Sequence, residues 1–382
     1  MLKQLRFTLR HGFRLLVYGT IGAVLTLVTV LVQNLENRDD LEVWHRADLD
    51  QEFTAESGLS SFSEYLELED RLFRQLDELV YQKTGPADTD RINRYKRNSL
   101  SDPERWPRNW NRSYELPLGA PRASVLLLHG LSDSPYSLHS LALRLNENDL
   151  HVLGLRAPGH GTAPSGLVNV TWQDMAAAVR LAMLHLAEQH GDRPIHIVGY
   201  SNGATLAVQY ALSTLDDPTL PPVDSLVLLS PGIGITPVAA LAIWQARLGR
   251  LLGLEKLAWN SILPEYDPYK YGSFAINAGN LSYRLTAEIQ NQIDALQENG
   301  KISAMPRVLA FSSVVDSTVL APALISNLFN RLPAGGHELI LFDINVQARI
   351  EPLLHWSPDD MLDAVHGISD PTFELSLVTN EG

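Results

Sequence analysis

The chain has 382 residues, 45% hydrophobic and 19% charged, enough for one large α/β domain with further segments. A net charge of −14 argues against nucleic acid as a partner. With no cysteine, a disulfide framework, a zinc–thiolate site and a cysteine nucleophile are excluded, and an oxidising compartment is tolerated.

The charge is uneven along the chain. Residues 1–14 carry Lys3, Arg6, Arg10 and Arg14 and no carboxylate, whereas residues 36–52 carry Glu36, Asp39, Asp40, Glu42, Asp48, Asp50 and Glu52. Between them, Leu15 to Val32 are 18 uncharged, mostly apolar residues, extended by Phe13 and by Gln33-Asn34-Leu35. A run near the ~20 residues that span a bilayer, basic on one side, predicts a membrane anchor with the basic side cytoplasmic. No A-x-A-like site follows Val32, so the expectation is an uncleaved signal anchor rather than a removed signal peptide. The expected organisation is therefore a cytoplasmic basic segment at 1–12 and a single-pass inner-membrane helix at 13–35. The bulk of the chain would be periplasmic.

Residues 36–115 form an N-terminal extension without a partner of its own named by the sequence. Its first part, 36–60, is polar and reads as a stalk. Residues 61–83 place Phe62, Tyr65, Leu66, Leu72, Phe73, Leu76 and Val80 at helical spacing among charges, which predicts an amphipathic helix packed on the main domain. Pro86, Pro103 and Pro107 then mark an irregular linker.

The pattern changes at 116. Ala123-Ser124-Val125-Leu126-Leu127-Leu128 is a strand candidate ending at His129-Gly130, and the run from Leu150 to Leu155 is a second, ending at Arg156-Ala157-Pro158-Gly159-His160-Gly161. A long helical pattern covers 171–190. Ile195-His196-Ile197-Val198 then leads into Gly199-Tyr200-Ser201-Asn202-Gly203 and an apolar helix. A G-x-S-x-G pentapeptide between strand and helix is the setting in which the serine is a nucleophile held on a tight turn. Ser225 to Leu229 is the next strand, residues 232–300 interrupt the rhythm, and strands resume at 307–311 and 338–342. Alternating strands and helices imply a mostly parallel sheet with helices on both faces, its site at the carboxyl ends of the strands. The domain is expected over 116–382, with the insertion at 232–300 forming a helical cap above that end.

Leu128-His129-Gly130-Leu131, Pro158-Gly159-His160-Gly161 and Gly199-Tyr200-Ser201-Asn202-Gly203, in that order, resemble the α/β-hydrolases. Specifically, they look like the serine-hydrolase branch of carboxylesterases, monoacylglycerol lipases and serine aminopeptidase-like enzymes. The resemblance covers roughly residues 120–370 and implies an α/β-hydrolase fold with a Ser-His-Asp triad. It implies Ser201 as nucleophile and, after the strand that follows the insertion, Asp316 as the acid. The base is expected after the last strand. His337 precedes that strand and lies at the wrong end, which leaves His355 as the expected base and His366 as the alternative. The resemblance also implies an oxyanion hole made of the backbone N–H groups of Asn202 and Leu131. His129 and His160 are expected to brace loops; His139, His151, His185, His190 and His196 are structural or surface residues.

No metal cluster, phosphate loop or dinucleotide fingerprint is present in the sequence, so no cofactor is implied. The expected function is a membrane-anchored serine hydrolase of carboxylic esters, including lipid-derived acyl esters, acting through an acyl-enzyme. Peptidase, thioesterase or acyltransferase activity on the same triad is the alternative. A non-catalytic, membrane-tethered interaction module on the same scaffold is the alternative of a different class.

Overall fold

The computed structural model describes residues 2–85, 91–234, 254–314, 321–343 and 372–379. Its centre is an eight-stranded sheet. The strands in chain order are β1 (Tyr114–Leu116), β2 (Ala123–Leu128), β3 (Leu150–Leu155), β4 (Ile195–Tyr200), β5 (Ser225–Leu229), β8 (Arg307–Ser313), β9 (His337–Asp343) and β10 (Phe373–Thr379); β6 (Trp259–Ser261) and β7 (Phe274–Ala275) form a separate antiparallel pair. The spatial order is β1-β3-β2-β4-β5-β8-β9-β10, antiparallel only between β1 and β3. Every residue of β2 and β3 is buried, as strands covered on both faces require.

Strand order reverses at β2. The chain goes outward from β2 to β3 and returns to place β4 on the other side of β2, with Leu128 opposite Gly199. The turns after β2 and β4 therefore open side by side at the carboxyl edge, where such sheets hold their ligands.

Among the described residues, the helices of seven or more residues are α1 (Leu2–Glu36), α2 (Phe62–Leu76), α3 (His139–Asn146), α4 (Trp172–His190), α5 (Asn202–Asp216), α6 (Ile276–Glu298) and α7 (Ala321–Asn327). Helix α5 is buried from Asn202 to Leu212, between the sheet and its neighbours α4 and α6. Thr171 opens α4 with a capping box, its hydroxyl accepting from the N–H of Asp174. The described part of the expected cap is the β6–β7 ribbon followed by α6, which packs along α5 as a layer helix. Residues 235–253 of that insertion lie outside the described residues.

The extension is folded onto the domain. The 36–60 segment, expected as a stalk, buries Leu41, Trp44, Leu49 and Phe53. Leu41, Phe53, Phe62 and Tyr65 belong to the main core, while Trp44, Leu72, Phe73, Leu76, Val80 and Tyr95 form a second core with Ala163. Burying each such side chain contributes about 1.5–3 kcal/mol, which is why an acidic, polar-looking stretch still packs.

The N-terminal run forms the 35-residue α1, with Phe13, Leu15, Leu16, Tyr18, Ile21, Leu25 and Val30 exposed. Among the described residues no helix is long and apolar enough to cross a membrane, so the anchor expected at 13–35 finds no support there. Its last turn belongs to the folded domain: Leu35 is buried, Arg38 donates to the Trp259 carbonyl at 2.7 Å, and Lys256 Nζ donates to the Arg38 carbonyl at 2.9 Å.

Candidate active site

Ser201 occupies the turn between β4 and α5 at φ 53° and ψ −116°. A residue with a Cβ is strained there, at a typical cost of about 1–3 kcal/mol, and such strain persists only where the surroundings impose it. They do so here. The Ser201 N–H donates to the Leu229 carbonyl at 2.9 Å, and its carbonyl accepts from Gly232 at 3.1 Å and Thr205 at 3.2 Å. The flanking glycines are required sterically: a Cβ on Gly199 would lie 2.4 Å from Ala204 Cα, and one on Gly203 2.2 Å from the Leu128 carbonyl oxygen. The second contact shows how closely the end of β2 lies against the elbow helix. Ser201 is half-buried, and its hydroxyl makes no hydrogen bond among the described residues.

Leu131 follows β2 and Asn202 follows Ser201, so the two loops carrying them are neighbours. Neither backbone N–H is taken up by a hydrogen bond among the described residues. The Asn202 side chain is turned away and buried, with Ser282 of α6 donating to its Oδ1 at 3.1 Å. The loop after Leu131 is tied to the insertion: Tyr271 N–H donates to the Ser132 carbonyl at 2.8 Å and Lys270 pairs with Asp133 at 3.4 Å. Burial raises the Asp133 carboxyl above its ordinary range, against the pull of Lys270.

His129 is buried and its ring is fully committed. Ala157 N–H donates to Nε2 at 3.0 Å, and Nδ1 faces the Gly130 carbonyl at 2.8 Å. A nitrogen that accepts carries no proton, so the neutral ring is the Nδ1–H tautomer and donates to Gly130. Burial holds its pKa well below the ordinary value, with nearby His160 adding to the shift. His160 is held at about 4 by burial, with Nδ1 at 2.9 Å from the Pro158 carbonyl. Both histidines brace loops.

His337 is the first residue of β9 and accepts from Val308 N–H near the start of β8, at the amino end of the sheet and away from Ser201. The sequence pattern places its last strand at 338–342, within β9. A further parallel strand, β10, follows it and pairs with it in register from Phe373 to Thr379. His355 and His366, between β9 and β10 in the sequence, and Asp316, just after β8 in the sequence, lie outside the described residues.

Arg156 was not singled out by its sequence context. It is buried just past β3 and donates to Glu52 and Glu69 of the extension. The R-A-P-G-H-G stretch marks a tight loop, but nothing local signals partners about a hundred residues away.

The profile of a family described as Serine aminopeptidase, S33 (Hydrolase_4) matches residues 119–342, more than half of the chain. The chain belongs to this family. It is a serine hydrolase with the α/β-hydrolase fold. Among solved structures it is similar to a monoacylglycerol lipase of Paleococcus ferrophilus, at 19% identity over 60% of this chain and 88% of that one, TM-score 0.44. It is also similar to a soluble variant of monoglyceride lipase from Saccharomyces cerevisiae in complex with a substrate analog, at 16% identity over 70% and 82%, TM-score 0.44. A third is a carboxyl esterase from Bacillus coagulans in complex with glycerol, at 15% identity over 67% and 93%, TM-score 0.42. Likeness this distant says nothing of what this chain acts on. No curated protein sequence matches it.

Proposed function

We propose that this protein hydrolyses carboxylic esters through an acyl-enzyme on Ser201. The observation that carries the reading is the strained serine at the carboxyl edge of the sheet, beside two unengaged N–H groups at Leu131 and Asn202. His355 removes the Ser201 proton and returns it to the leaving alcohol; Asp316 orients the imidazole. Negative charge on the tetrahedral oxygen falls to the Leu131 and Asn202 N–H groups, and losing one such donor typically costs about 2.7–4 kcal/mol of transition-state stabilisation.

Topology supports these partners. Val314, two residues before Asp316 in the sequence, still bonds the Phe342 carbonyl at that edge. β9 ends at that edge at Asp343, and β10 begins at the opposite edge at Phe373. In the sequence His355 is nearer the end of β9 and His366 nearer the start of β10, which favours His355. A peptidase reading has one point in its favour, the description of the family as serine aminopeptidase.

The proposal extends to the helix at 13–35 as an inner-membrane signal anchor, with the N-terminus cytoplasmic and residues 36–382 periplasmic. Its supports are the uncharged, mostly apolar run from Leu15 to Val32 and the basic-to-acidic change across it. Thr20, Thr26 and Thr29 bond their hydroxyls to carbonyls four residues earlier, which leaves those polar groups satisfied in an apolar surround. A periplasm-dependent reporter fused at residue 382 should be active; silence rejects that orientation.

The deciding experiment is labelling with a fluorophosphonate, followed by ester, thioester and peptide substrates. Wild type should be labelled, Ser201→Ala should not, and a short-chain ester should be cleaved fastest. His355→Ala should lose at least 1,000-fold in kcat, with His366→Ala near wild type. A folded wild type that takes no label rejects the hydrolase site, and a peptide preference rejects the ester.

A further inference from the structure

The loop that supports His129 is built largely by the N-terminal extension. Arg156 NH1 and NH2 donate to the two oxygens of Glu52 at 3.0 and 2.9 Å, and its Nε donates to Glu69 at 2.9 Å. Glu52 also accepts the Gly159 N–H at 2.9 Å. Glu69 holds Ser113 through the Ser113 N–H at 3.0 Å and hydroxyl at 2.9 Å; that hydroxyl oxygen accepts the Arg156 N–H at 2.9 Å. The Tyr65 hydroxyl donates to the Arg156 carbonyl at 2.6 Å, and Arg156 NH1 closes the loop on the His160 carbonyl at 3.0 Å. The backbone from Arg156 to His160 is thus fixed by residues 52, 65, 69 and 113, outside the span 119–342 that matches the family.

That backbone reaches the candidate oxyanion hole in two steps. Ala157 N–H donates to His129 Nε2 at 3.0 Å, which places the ring proton on Nδ1, and Nδ1–H donates to the Gly130 carbonyl at 2.8 Å. The Gly130 carbonyl and the Leu131 N–H belong to one planar peptide unit. Holding the carbonyl sets the direction of the N–H, and a bond accepted by the carbonyl polarises that N–H as a donor.

We propose that Glu52 and Glu69 are positioning residues for the Leu131 oxyanion donor, acting through Arg156, the Ala157 N–H and His129. The extension therefore completes the active site without touching the substrate. This inference rests on the reading of Ser201 and Leu131 given above.

The charge balance makes it testable. Two carboxylates share one guanidinium, so Glu52→Gln leaves Arg156 paired with Glu69 and the buried cation compensated. In the full chain, Glu52→Gln should lower kcat about tenfold with KM within twofold, less than loss of a whole oxyanion donor. Affinity for a boronic acid, whose adduct on Ser201 is a tetrahedral anion, should fall by the same factor. In the His129→Ala background the Glu52→Gln change should have no further effect, because the link is already cut. Nitrogen NMR of the His129 ring should show a protected Nδ1–H in wild type that exchanges faster in Glu52→Gln. Glu69→Gln carries the same expectations should Glu52→Gln fail to fold. Unchanged kcat in a folded variant, or effects that multiply with His129→Ala, overturn the inference. An unlabelled, inactive wild type would instead reject the Ser201 reading, while the His129 proton would still report on the link.

Discussion

Ser201 has a backbone that only glycine adopts without strain, and chemistry that only serine supplies. Ser201→Ala removes the hydroxyl and keeps the Cβ; Ser201→Gly removes both. The glycine variant should therefore be the more stable of the two by about 1 kcal/mol in urea unfolding, the usual gain from relieving a positive φ, less glycine's added unfolded-state entropy. Equal stability would show that the turn is relaxed. Both variants should be inactive, which separates the strain from the chemistry. This site was legible in the sequence because the turn that strains it is local: strand, pentapeptide and helix are contiguous, and Gly199 is a glycine on account of its contact with nearby Ala204. Arg156 was illegible for the opposite reason. Its carboxylate partners lie 104 and 87 residues away, and no spacing rule connects them.

Helix α2 shows what an element's pattern reveals and what it hides. Its capping box was written in the chain as Ser61 and Glu64, and its apolar stripe marked the face to bury. The stripe could not say that the last turn widens into a π-helix at Asp77–Tyr81, nor that the polar face carries Glu69 into the interior. The two faces should respond very differently to truncation. Leu72 is fully buried in the extension's own core, so Leu72→Ala should cost about 2–5 kcal/mol, whereas Leu66, 36% exposed, should cost under about 1 kcal/mol. Denaturant midpoints of the two variants, at unchanged m-value, check the contrast. Strand β10 escaped the sequence reading because Phe373–Thr379 is an edge strand with one fully buried end and an exposed tail. Its alternation was too weak to separate from a terminal coil.

Across the whole molecule, the extension and the hydrolase domain are joined at sites where neutral histidines are buried. His45 of the extension accepts from the Glu42 N–H and faces Ser273 of the insertion at 2.9 Å, and burial lowers its pKa to about 4, helped by Arg46. His160 is held at about 4 on the loop that Glu52 and Arg156 fix, and burial holds His129 beside it well below its ordinary value. In the unfolded chain each returns to its ordinary value near 6.5. Between pH 6.5 and 4 the unfolded state therefore binds more protons than the folded one, and stability falls as pH falls. The stabilisation is complete above pH 6.5 and is lost towards pH 4. At pH 5 a folded value near 4 corresponds to a loss of about 2 kcal/mol for each of His45 and His160. Asp133 and Glu265, whose carboxyls burial raises, act in the opposite sense. The histidines supply the part of the slope that lowers stability from pH 7 to pH 5.5. The thermal midpoint should drop steadily over that interval, and His45→Gln, neutral at every pH, should remove roughly half of the part due to His45 and His160. A midpoint flat from pH 7 to 5.5 would mean that these rings take up protons without loosening the joint.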